Sequence, residues 1–457
     1  MGDARFPGPI TLRALILVLV LFVLTAPGRV GNTDVSITLD LARALLRGSV
    51  TLDPGCMSCA VGIDGIRTSQ YGIGHSLLLV PWVVAGRAAR LVGLPGGVER
   101  WEEFFVSFSN IPVIGLLLFF LARHWHFLGA GDRRMGAGVV LFGAATLLGP
   151  YARMPFSDGL LALGIFGAWH TWRHGGRWSG VWTGCWLGFA LVSRRQADAV
   201  VPLLMVLLAV NAGVGGRGRS WWMTTVAILP FVGVRLAYNQ ARFGTPWVEV
   251  HPGLTATRVM VRGMEGGFAR LPEVLWSSSE GFLVYGMVPL LIAVFGFRAM
   301  LRRSLWDAVA VVLIPAAGVA FVALLRFGPG VSFGARYLLY LIPFLGMAWP
   351  FVRVPRGNWG RIAWAIPVAF SVVVMAGGFV LDPNPVAIRR RSLDGEWGQT
   401  RATAGEWRRV LTWGDAPVSP ALVGRADWGH PAFDHPDFWW CHGLDQVLGK
   451  SQRPMAR

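Results

Sequence analysis

Apolar segments that approach the thickness of a lipid bilayer recur along the whole sequence, and this feature limits the fold more than any other. Clear examples are residues 14–26, 111–122, 284–297 and 308–325. A helix needs roughly 20 mostly apolar residues to cross a bilayer. Only 15% of the residues are charged, whereas soluble domains carry about 25%. The sequence therefore predicts an all-α membrane protein that crosses the bilayer many times.

The distribution of basic residues predicts the orientation of these segments. The chain has 42 Lys and Arg against 25 Asp and Glu, a formal net charge of +17. In a soluble protein this excess would suggest nucleic acid as a partner. Here the basic residues concentrate in short connectors, which the positive-inside rule assigns to the cytoplasm. We expect no nucleic acid partner, a cytoplasmic amino terminus in the inner (plasma) membrane, and cytoplasmic connectors at 123–134, 173–177, 217–219, 298–303 and 353–361.

Eleven membrane spans are predicted between these connectors, which puts the carboxyl terminus outside. Residues 1–381 form the predicted transmembrane domain, with a first outer loop at 29–102 and an extracytoplasmic tail or small cap at 382–457. Residues 76–94 contain Pro81 and two arginines after a short apolar run, so we expect an interfacial or re-entrant helix there. The predicted spans are 10–28, 103–122, 137–154, 158–172, 179–193, 198–213, 221–238, 281–297, 305–325, 337–352 and 360–381.

The first outer loop opens with a predicted amphipathic helix. Ile37, Leu41 and Leu45 have helical spacing, Thr33 or Asp34 can cap the start, and Gly48 can end the helix. Asp34 would then lie just outside the bilayer, where a carboxylate can accept a proton from a hydroxyl group. The alternative is that Asp34 is only the helix cap. Further along this loop, Cys56 and Cys59 can pair if the loop faces an oxidising compartment.

Asp158 lies at the predicted outer turn between two short spans. A carboxylate at the edge of the membrane is costly unless it has a partner or faces a polar cavity, so Asp158 is a candidate functional residue. Arg153 is its nearest basic neighbour in the sequence. The alternative interpretation is a surface ion pair at a tight turn.

Three arginines lie on the predicted outer side, against the general charge pattern. Arg194 and Arg195 separate two apolar segments, and Arg336 opens another span. Guanidinium groups match phosphate oxygens in a two-point geometry, so these residues are candidates for binding a phosphate group of a lipid carrier. The alternative is that one of the first two arginines pairs with Asp198.

The tail holds His430, His435, Cys441 and His442. Their spacing matches none of the compact zinc patterns, so we predict no metal site there. The sequence also contains no Gly-rich phosphate loop and no spacing typical of a Ser-His-Asp triad. No cofactor follows from these residues, and a requirement for a divalent metal stays open.

Several short segments occur in the order found in one family of membrane enzymes. They comprise the acidic residue and amphipathic helix after the first span, followed by residues 68–82, 156–161, 188–194, 238–246 and 332–339. Together they resemble the GT-C glycosyltransferases, which use polyprenyl-phosphate-linked sugars and include the protein O-mannosyltransferases and the aminoarabinose transferases. Tyr238 to Pro246 and Ser332 to Leu339 are the most similar.

This resemblance implies a GT-C-like bundle and assigns roles to particular residues. Asp34 corresponds to the catalytic acid of the first outer loop and Asp158 to a second acid on the outer face. Arg194 and Arg336 would lie near the carrier phosphate. Asp64, Tyr71 and His75 are further substrate-binding candidates in the first loop. The implied partners are a polyprenyl-phosphate sugar donor, membrane lipids and a glycan, lipid or protein acceptor.

The sequence also departs from the family pattern. The mannosyltransferases carry adjacent acids in the first loop, but Val35 follows Asp34 here, and Gly74-His75-Ser76 replaces the usual His-Pro-Pro. We interpret the chain as a glycosyltransferase that acts by inverting displacement with Asp34 as general base. A membrane transporter, a lipid flippase and a non-catalytic relative of the same fold are the alternatives.

Overall fold

The computed structural model describes residues 7–30, 32–56, 59–247, 270–276, 281–324, 334–353 and 357–380. The predicted tail at 382–457, with its histidines and cysteine, lies outside these residues. The first half of the chain forms α1 (Pro9–Thr25), α2 (Thr33–Leu45), α3 (Ile73–Leu91), α4 (Val98–Val106), α5 (Asn110–Phe127), α6 (Asp132–Ala144), α7 (Leu148–Arg153), α8 (Asp158–His174), α9 (Ser179–Ser193), α10 (Ala197–Val214) and α11 (Gly218–Phe243). The second half forms α12 (Leu271–Trp276), α13 (Phe282–Tyr285), α14 (Met287–Arg303), α15 (Leu305–Leu324), α16 (Leu341–Gly346) and α17 (Asn358–Val380).

The chain is a membrane protein built mainly of helices. Among the described residues, five helices are long and apolar enough to cross a bilayer: 98–127 (α4 with α5), 197–214, 218–243, 305–324 and 358–378. Two shorter apolar helices lie at 9–25 and 341–351. Each of the eleven predicted spans coincides with helical residues. Length and composition alone, however, support five full spans.

Several predicted spans are broken rather than continuous, among them 137–154 and 337–352. The segment 137–154 divides into α6 and α7, and 337–352 consists of short helical turns at 336–338, 341–346 and 349–351. Proline lacks the amide hydrogen that an uninterrupted helix requires, and Pro150, Pro343 and Pro350 lie in these segments. At the first break, Thr146 Oγ1 donates to the Phe142 carbonyl and accepts from the Leu148 amide, which satisfies both helix ends.

Helix α9 packs very closely against α11. Gly180, Gly184 and Gly188 follow one face of α9, four residues apart. A methyl group on Gly184 would lie 2.4 Å from the Thr224 carbonyl oxygen of α11, so only glycine permits this approach. Small residues at such spacing are typical of helix pairs in membranes. The tight contact fixes the position of the carboxyl-terminal end of α9, which leads into Arg194.

The first outer loop contains a structured cap rather than helices alone. Strands β1 (Ala60–Val61) and β2 (Arg67–Thr68) form an antiparallel ribbon that the all-α prediction missed. Asp64 occupies the left-handed region in the turn between them, with φ of 54°. Cys56 and Cys59 form a disulfide.

Ion pairs around the buried carboxylate of Glu102 join the helices of this loop. Glu102 of α4 accepts hydrogen bonds from Arg43 of α2 at 2.6 Å and from Arg87 of α3 at 2.8 Å. The helix expected at 76–94 is present as α3, beginning at Ile73. Because one carboxylate binds a guanidinium from each of two helices, α2 is held in place beside α3 and α4.

Candidate functional site

The hairpin of α8 and α9 brings an acid and a base together. The helices have similar lengths and a short connector, so the start of α8 lies near the end of α9. Asp158 is the first residue of α8, and Arg194 follows the last residue of α9, positions where the helix dipoles favour these charges. Arg194 Nη2 lies 3.0 Å from Asp158 Oδ1, and its Nη1 donates to Ser157 Oγ at 2.8 Å. Both charged side chains are buried.

A second buried arginine links this pair to Asp34. Arg336 Nη1 lies 3.0 Å from Asp34 Oδ2, and Arg336 Nε lies 3.8 Å from Asp158 Oδ2. Asp34 belongs to the first turn of α2 and keeps 29% of its side chain exposed, whereas Asp158 keeps 2%. Four distant segments therefore form one cluster, which we call the acid-arginine cluster: Asp34, Asp158, Arg194 and Arg336.

Aromatic rings hold both guanidinium groups. The carbon atom Cζ of Arg336 lies 4.7 Å from the ring centre of Phe156 and 5.1 Å from that of Tyr337. The same carbon of Arg194 lies 5.4 Å from the Tyr337 ring. Rings at these distances attract cations and limit their movement. The Tyr337 ring thus contacts both guanidinium groups.

Gly334 supplies the sharp turn that leads into Arg336. Its φ is 61°, and a methyl group at this position would lie 2.6 Å from the Tyr285 ring. The Arg336 amide donates to the Gly334 carbonyl oxygen at 2.8 Å. Any larger residue would be strained and would collide with Tyr285, so the local sequence determines where the guanidinium lies.

Asp34 is ionised and receives a hydrogen bond from Tyr71. Burial raises the pKa of Asp34, but the charge of Arg336 and the Tyr71 hydrogen bond, with a smaller effect of Arg194, outweigh burial and hold this pKa below its usual value. Burial and then the charge of Asp34 raise the pKa of Tyr71 above its usual range. Tyr71 therefore remains a donor, and Asp34 remains an acceptor, at neutral pH.

A narrow groove lined by several arginine side chains lies beside the cluster. Arg194 belongs to both the groove and the cluster, and Tyr71 lines the groove and donates to Asp34. Arg195, predicted as a phosphate ligand, is partly exposed and lines the groove with Arg235 and Arg242. Several guanidinium groups around one groove favour an anionic ligand. The complete lining is Gln70, Tyr71, Gly72, Ile73, Leu191, Val192, Arg194, Arg195, Arg235, Tyr238, Asn239 and Arg242.

Two predicted ion pairs are wrong. Arg153 was expected to be the partner of Asp158, but its Nη1 donates to the Gly378 carbonyl oxygen of α17 at 2.9 Å. Asp198 was an alternative partner for Arg194 or Arg195. Its carboxylate instead binds Arg235 of α11, with 2.6 Å between Oδ2 and Nη2.

The remaining candidates differ in location. His75, in the first turn of α3, is buried, and its Nε2 has no hydrogen-bond partner within the described ranges. Asp64 is exposed in the ribbon turn and makes no ion pair with the cluster there. Tyr337 and Ser157 contact the arginines but were not predicted, although each is adjacent in sequence to a predicted residue.

The cap of α2 is Asn32. Its side-chain oxygen accepts a hydrogen bond from the Asp34 amide at 2.8 Å, so the expectation that Thr33 or Asp34 caps the helix is wrong. The Asp34 carboxylate contacts Arg336 and Tyr71 instead. The interpretation of Asp34 as only a helix cap therefore loses its basis.

The described residues define a class: a membrane protein of many helices with buried carboxylates and arginines at one end of the bundle. No protein-family model matches the sequence, and no curated protein matches it. Among solved structures, the chain is similar to ArnT from Cupriavidus metallidurans bound to undecaprenyl phosphate, with 15% identity over 91% of this chain and 77% of that chain and a TM-score of 0.54.

The apo state of the same ArnT is also similar, with 18% identity over 82% of this chain and 67% of that chain and a TM-score of 0.51. ArnT is an aminoarabinose transferase of the GT-C type. The expected resemblance is thus matched by a likeness in fold to ArnT over most of the chain. At these identities the likeness establishes the fold, while function must be argued from the site.

Proposed function

We propose that this protein is a membrane glycosyltransferase that moves a sugar from a polyprenyl-phosphate carrier to an acceptor at the extracytoplasmic face. The acid-arginine cluster carries this proposal, because it combines a partly exposed carboxylate with two fixed guanidinium groups. The similarity in fold to an ArnT that binds undecaprenyl phosphate supports the choice of donor. The acceptor is a glycan, a lipid or a protein.

The proposed reaction is a single displacement with inversion at the anomeric carbon. Asp34 accepts the proton of an acceptor hydroxyl, whose oxygen forms a bond to the anomeric carbon. The bond between that carbon and the phosphate oxygen breaks, and the polyprenyl phosphate leaves with the electron pair. Arg194 and Arg336 stabilise the negative charge that develops on the leaving phosphate.

Both arginines form ion pairs with carboxylates of the cluster. An incoming phosphate offers Arg336 a stronger anionic partner than the carboxylate oxygen at 3.0 Å. Asp34 would then lose part of the positive charge that lowers its pKa and would become a better base. Asp158, which is almost fully buried behind the guanidinium groups, serves as their positioning residue.

Tyr71→Phe should shift the acid limb of the pH profile of sugar transfer to higher pH. Asp34 must be ionised to act as a base, so kcat/KM falls when the pH drops through its pKa. The hydrogen bond from Tyr71 lowers this pKa, and its removal raises the pKa. A hydrogen bond to a charged group contributes about 1.5 kcal/mol or more, which corresponds to an upward shift of about one pH unit. A pH profile of kcat/KM measures this shift, and an unchanged acid limb would contradict the role of Asp34.

The proposal includes a topology of eleven membrane spans. With a cytoplasmic amino terminus, the loop at 29–102 and the tail after 381 are outside, and the basic connectors are inside. In a background without other cysteines, a cysteine at Gly48 should react with a membrane-impermeant maleimide in intact cells. Cysteines at Arg133 and Arg302 should react only after permeabilisation. Protection of the Gly48 position in intact cells would overturn this orientation.

A direct assay separates the proposed enzyme from its alternatives. Purified protein is incubated with radiolabelled polyprenyl-phosphate sugars and a membrane extract that supplies acceptors, and loss of label from the lipid is followed. Transfer of the label to a new product supports the glycosyltransferase. Movement of intact labelled lipid across reconstituted vesicles without transfer would instead identify a flippase. Neither result would be expected from a non-catalytic relative.

A further inference from the structure

Three histidines converge at the opposite end of α8 from the acid-arginine cluster. His170 and His174 lie one helical turn apart on α8, and His124 lies in the last turn of α5. One potential ligand atom from each lies within 4.8 Å of the other two. Asp158 and His174 are separated by 16 residues of helix, which corresponds to about 24 Å. The histidines therefore form a separate site, which we call the histidine cluster.

Sequence spacing brings His170 and His174 together, and the packing of α5 against α8 adds His124. Residues four apart occupy the same helix face, so His170 and His174 face the same neighbour. Their ring centres are 4.0 Å apart, and that of His124 lies 5.8 Å from His170. Phe120 stacks on His170 at 5.0 Å, and Phe127 lies 4.8 Å from His174. The aromatic rings enclose the imidazoles on the apolar side.

Each of the three imidazoles has a buried nitrogen that makes no hydrogen bond within the described residues. These atoms are His124 Nδ1, His170 Nδ1 and His174 Nε2. Buried polar atoms are nearly always satisfied, since leaving one unpaired costs free energy. Three neighbouring imidazoles with unsatisfied nitrogens are unusual in a packed core. The same arrangement is typical of metal ligands.

A carboxylate is correctly located to support such ligands. Asp307, at the start of α15, is fully buried, and its Oδ1 lies 3.4 Å from His124 Nε2. Metal-binding histidines almost always direct their second nitrogen to a carboxylate, carbonyl or water. Asp307 also accepts from Trp169 at 3.0 Å and from Arg173 at 3.1 Å. The carboxylate is held rigidly and adds negative charge beside the cluster.

We propose that His124, His170 and His174 bind a divalent transition metal ion, with Asp307 as the partner that orients His124. Neutral imidazole is a preferred ligand for zinc, copper and nickel, and zinc is commonly held by three histidines with one open position. Zinc-nitrogen bonds of about 2.0–2.1 Å put tetrahedral ligand nitrogens about 3.3 Å apart. The potential ligand atoms now lie within 4.8 Å of one another, so the side chains would rotate inward on binding the ion.

An opening beside the cluster provides a route for the ion. An open cleft of about 420 Å³ is lined by Phe127, Arg173 and Ser304, among others. Phe127 contacts His174, and Arg173 contacts Asp307. Because the site lies far along α8 from Asp34 and Asp158, the ion would tie α5, α8 and α15 together and would not take part in the proposed transfer reaction.

Metal retention tests this proposal without any assay of activity. Purified protein is stripped with a chelator, incubated with one equivalent of Zn²⁺, passed through gel filtration and analysed by mass spectrometry of metals. The parental protein should retain about one zinc per chain. His170→Gln and His174→Gln should lose that zinc, whereas His126→Gln should retain it, since His126 is exposed on α5 and outside the cluster.

Two further measurements separate a metal site from adventitious binding. Cobalt substitution should give the visible absorption of a tetrahedral site in the parental protein and in His126→Gln, but not in the cluster variants. Asp307→Asn should weaken zinc affinity by about 10- to 100-fold, as expected for an outer partner of a ligand. Zinc retention that is unchanged in both folded cluster variants, or no retention by the parental protein, would overturn the proposal.

Discussion

Asp34→Asn should lower the rate of sugar transfer by about 100- to 10,000-fold, the usual cost of losing a general base. Asparagine has nearly the same size as aspartate but cannot accept the proton of the acceptor hydroxyl. Binding of the donor should survive, since Arg194 and Arg336 remain. The measurement is single-turnover transfer from a radiolabelled polyprenyl-phosphate sugar, with donor binding determined separately in the same preparation.

Two matched variants make this result specific. Asp40→Asn removes a carboxylate from the same helix, where Asp40 pairs with Arg43 outside the cluster, and it should leave the rate nearly unchanged. Asn32→Ala removes the helix cap and should cost about 1 kcal/mol of stability while the folded fraction stays active. Parental turnover in well-folded Asp34→Asn protein would refute the assignment of Asp34 as the base.

Much of the fold follows from local sequence. The predicted spans 158–172 and 179–193 match α8 and α9 closely, because apolar composition and short basic connectors act within a few residues. The same hairpin makes the meeting of Asp158 with Arg194 predictable in principle. Proximity in the sequence instead suggested Arg153, which lies on the separate helix α7 and binds the carbonyl of Gly378.

Contacts between distant segments could not be predicted in this way. Asp34 and Arg336 are 302 residues apart, and no periodicity connects them; the predicted topology and the family resemblance put both on the outer face without indicating that they meet. The histidine cluster also depends on a contact between segments that are distant in the sequence. The spacing of His170 and His174 was visible in the sequence, but His124 joins them only through the packing of α5 on α8. The break between α6 and α7 depended on the side chain of Thr146, beyond what apolar length can indicate.

The arginines raise a question that single substitutions cannot answer. Arg194 is proposed to bind the carrier phosphate, but it also neutralises Asp158, and both side chains are buried. Removing one partner of a buried ion pair leaves an uncompensated charge and typically costs 3–5 kcal/mol. Loss of transfer in Arg194→Gln would therefore have two explanations, a missing phosphate ligand or a damaged fold. A double substitution distinguishes them.

Arg194→Gln should reduce transfer by about 100- to 1,000-fold, as for the loss of one group that stabilises an oxyanion, and should destabilise the fold by about 3 kcal/mol. We expect the lower end of the range of about 3–5 kcal/mol because Arg336 Nε remains 3.8 Å from Asp158 and still offsets its charge. Adding Asp158→Asn removes the unpaired charge, so the double variant should regain most of the thermal stability but not donor affinity.

Arg177→Gln, in the exposed connector between α8 and α9, controls for loss of one positive charge. The measurements are thermal unfolding and donor affinity across the cycle. If transfer returns together with stability in the double variant, Arg194 is only the counter-ion of Asp158, and the phosphate must bind elsewhere.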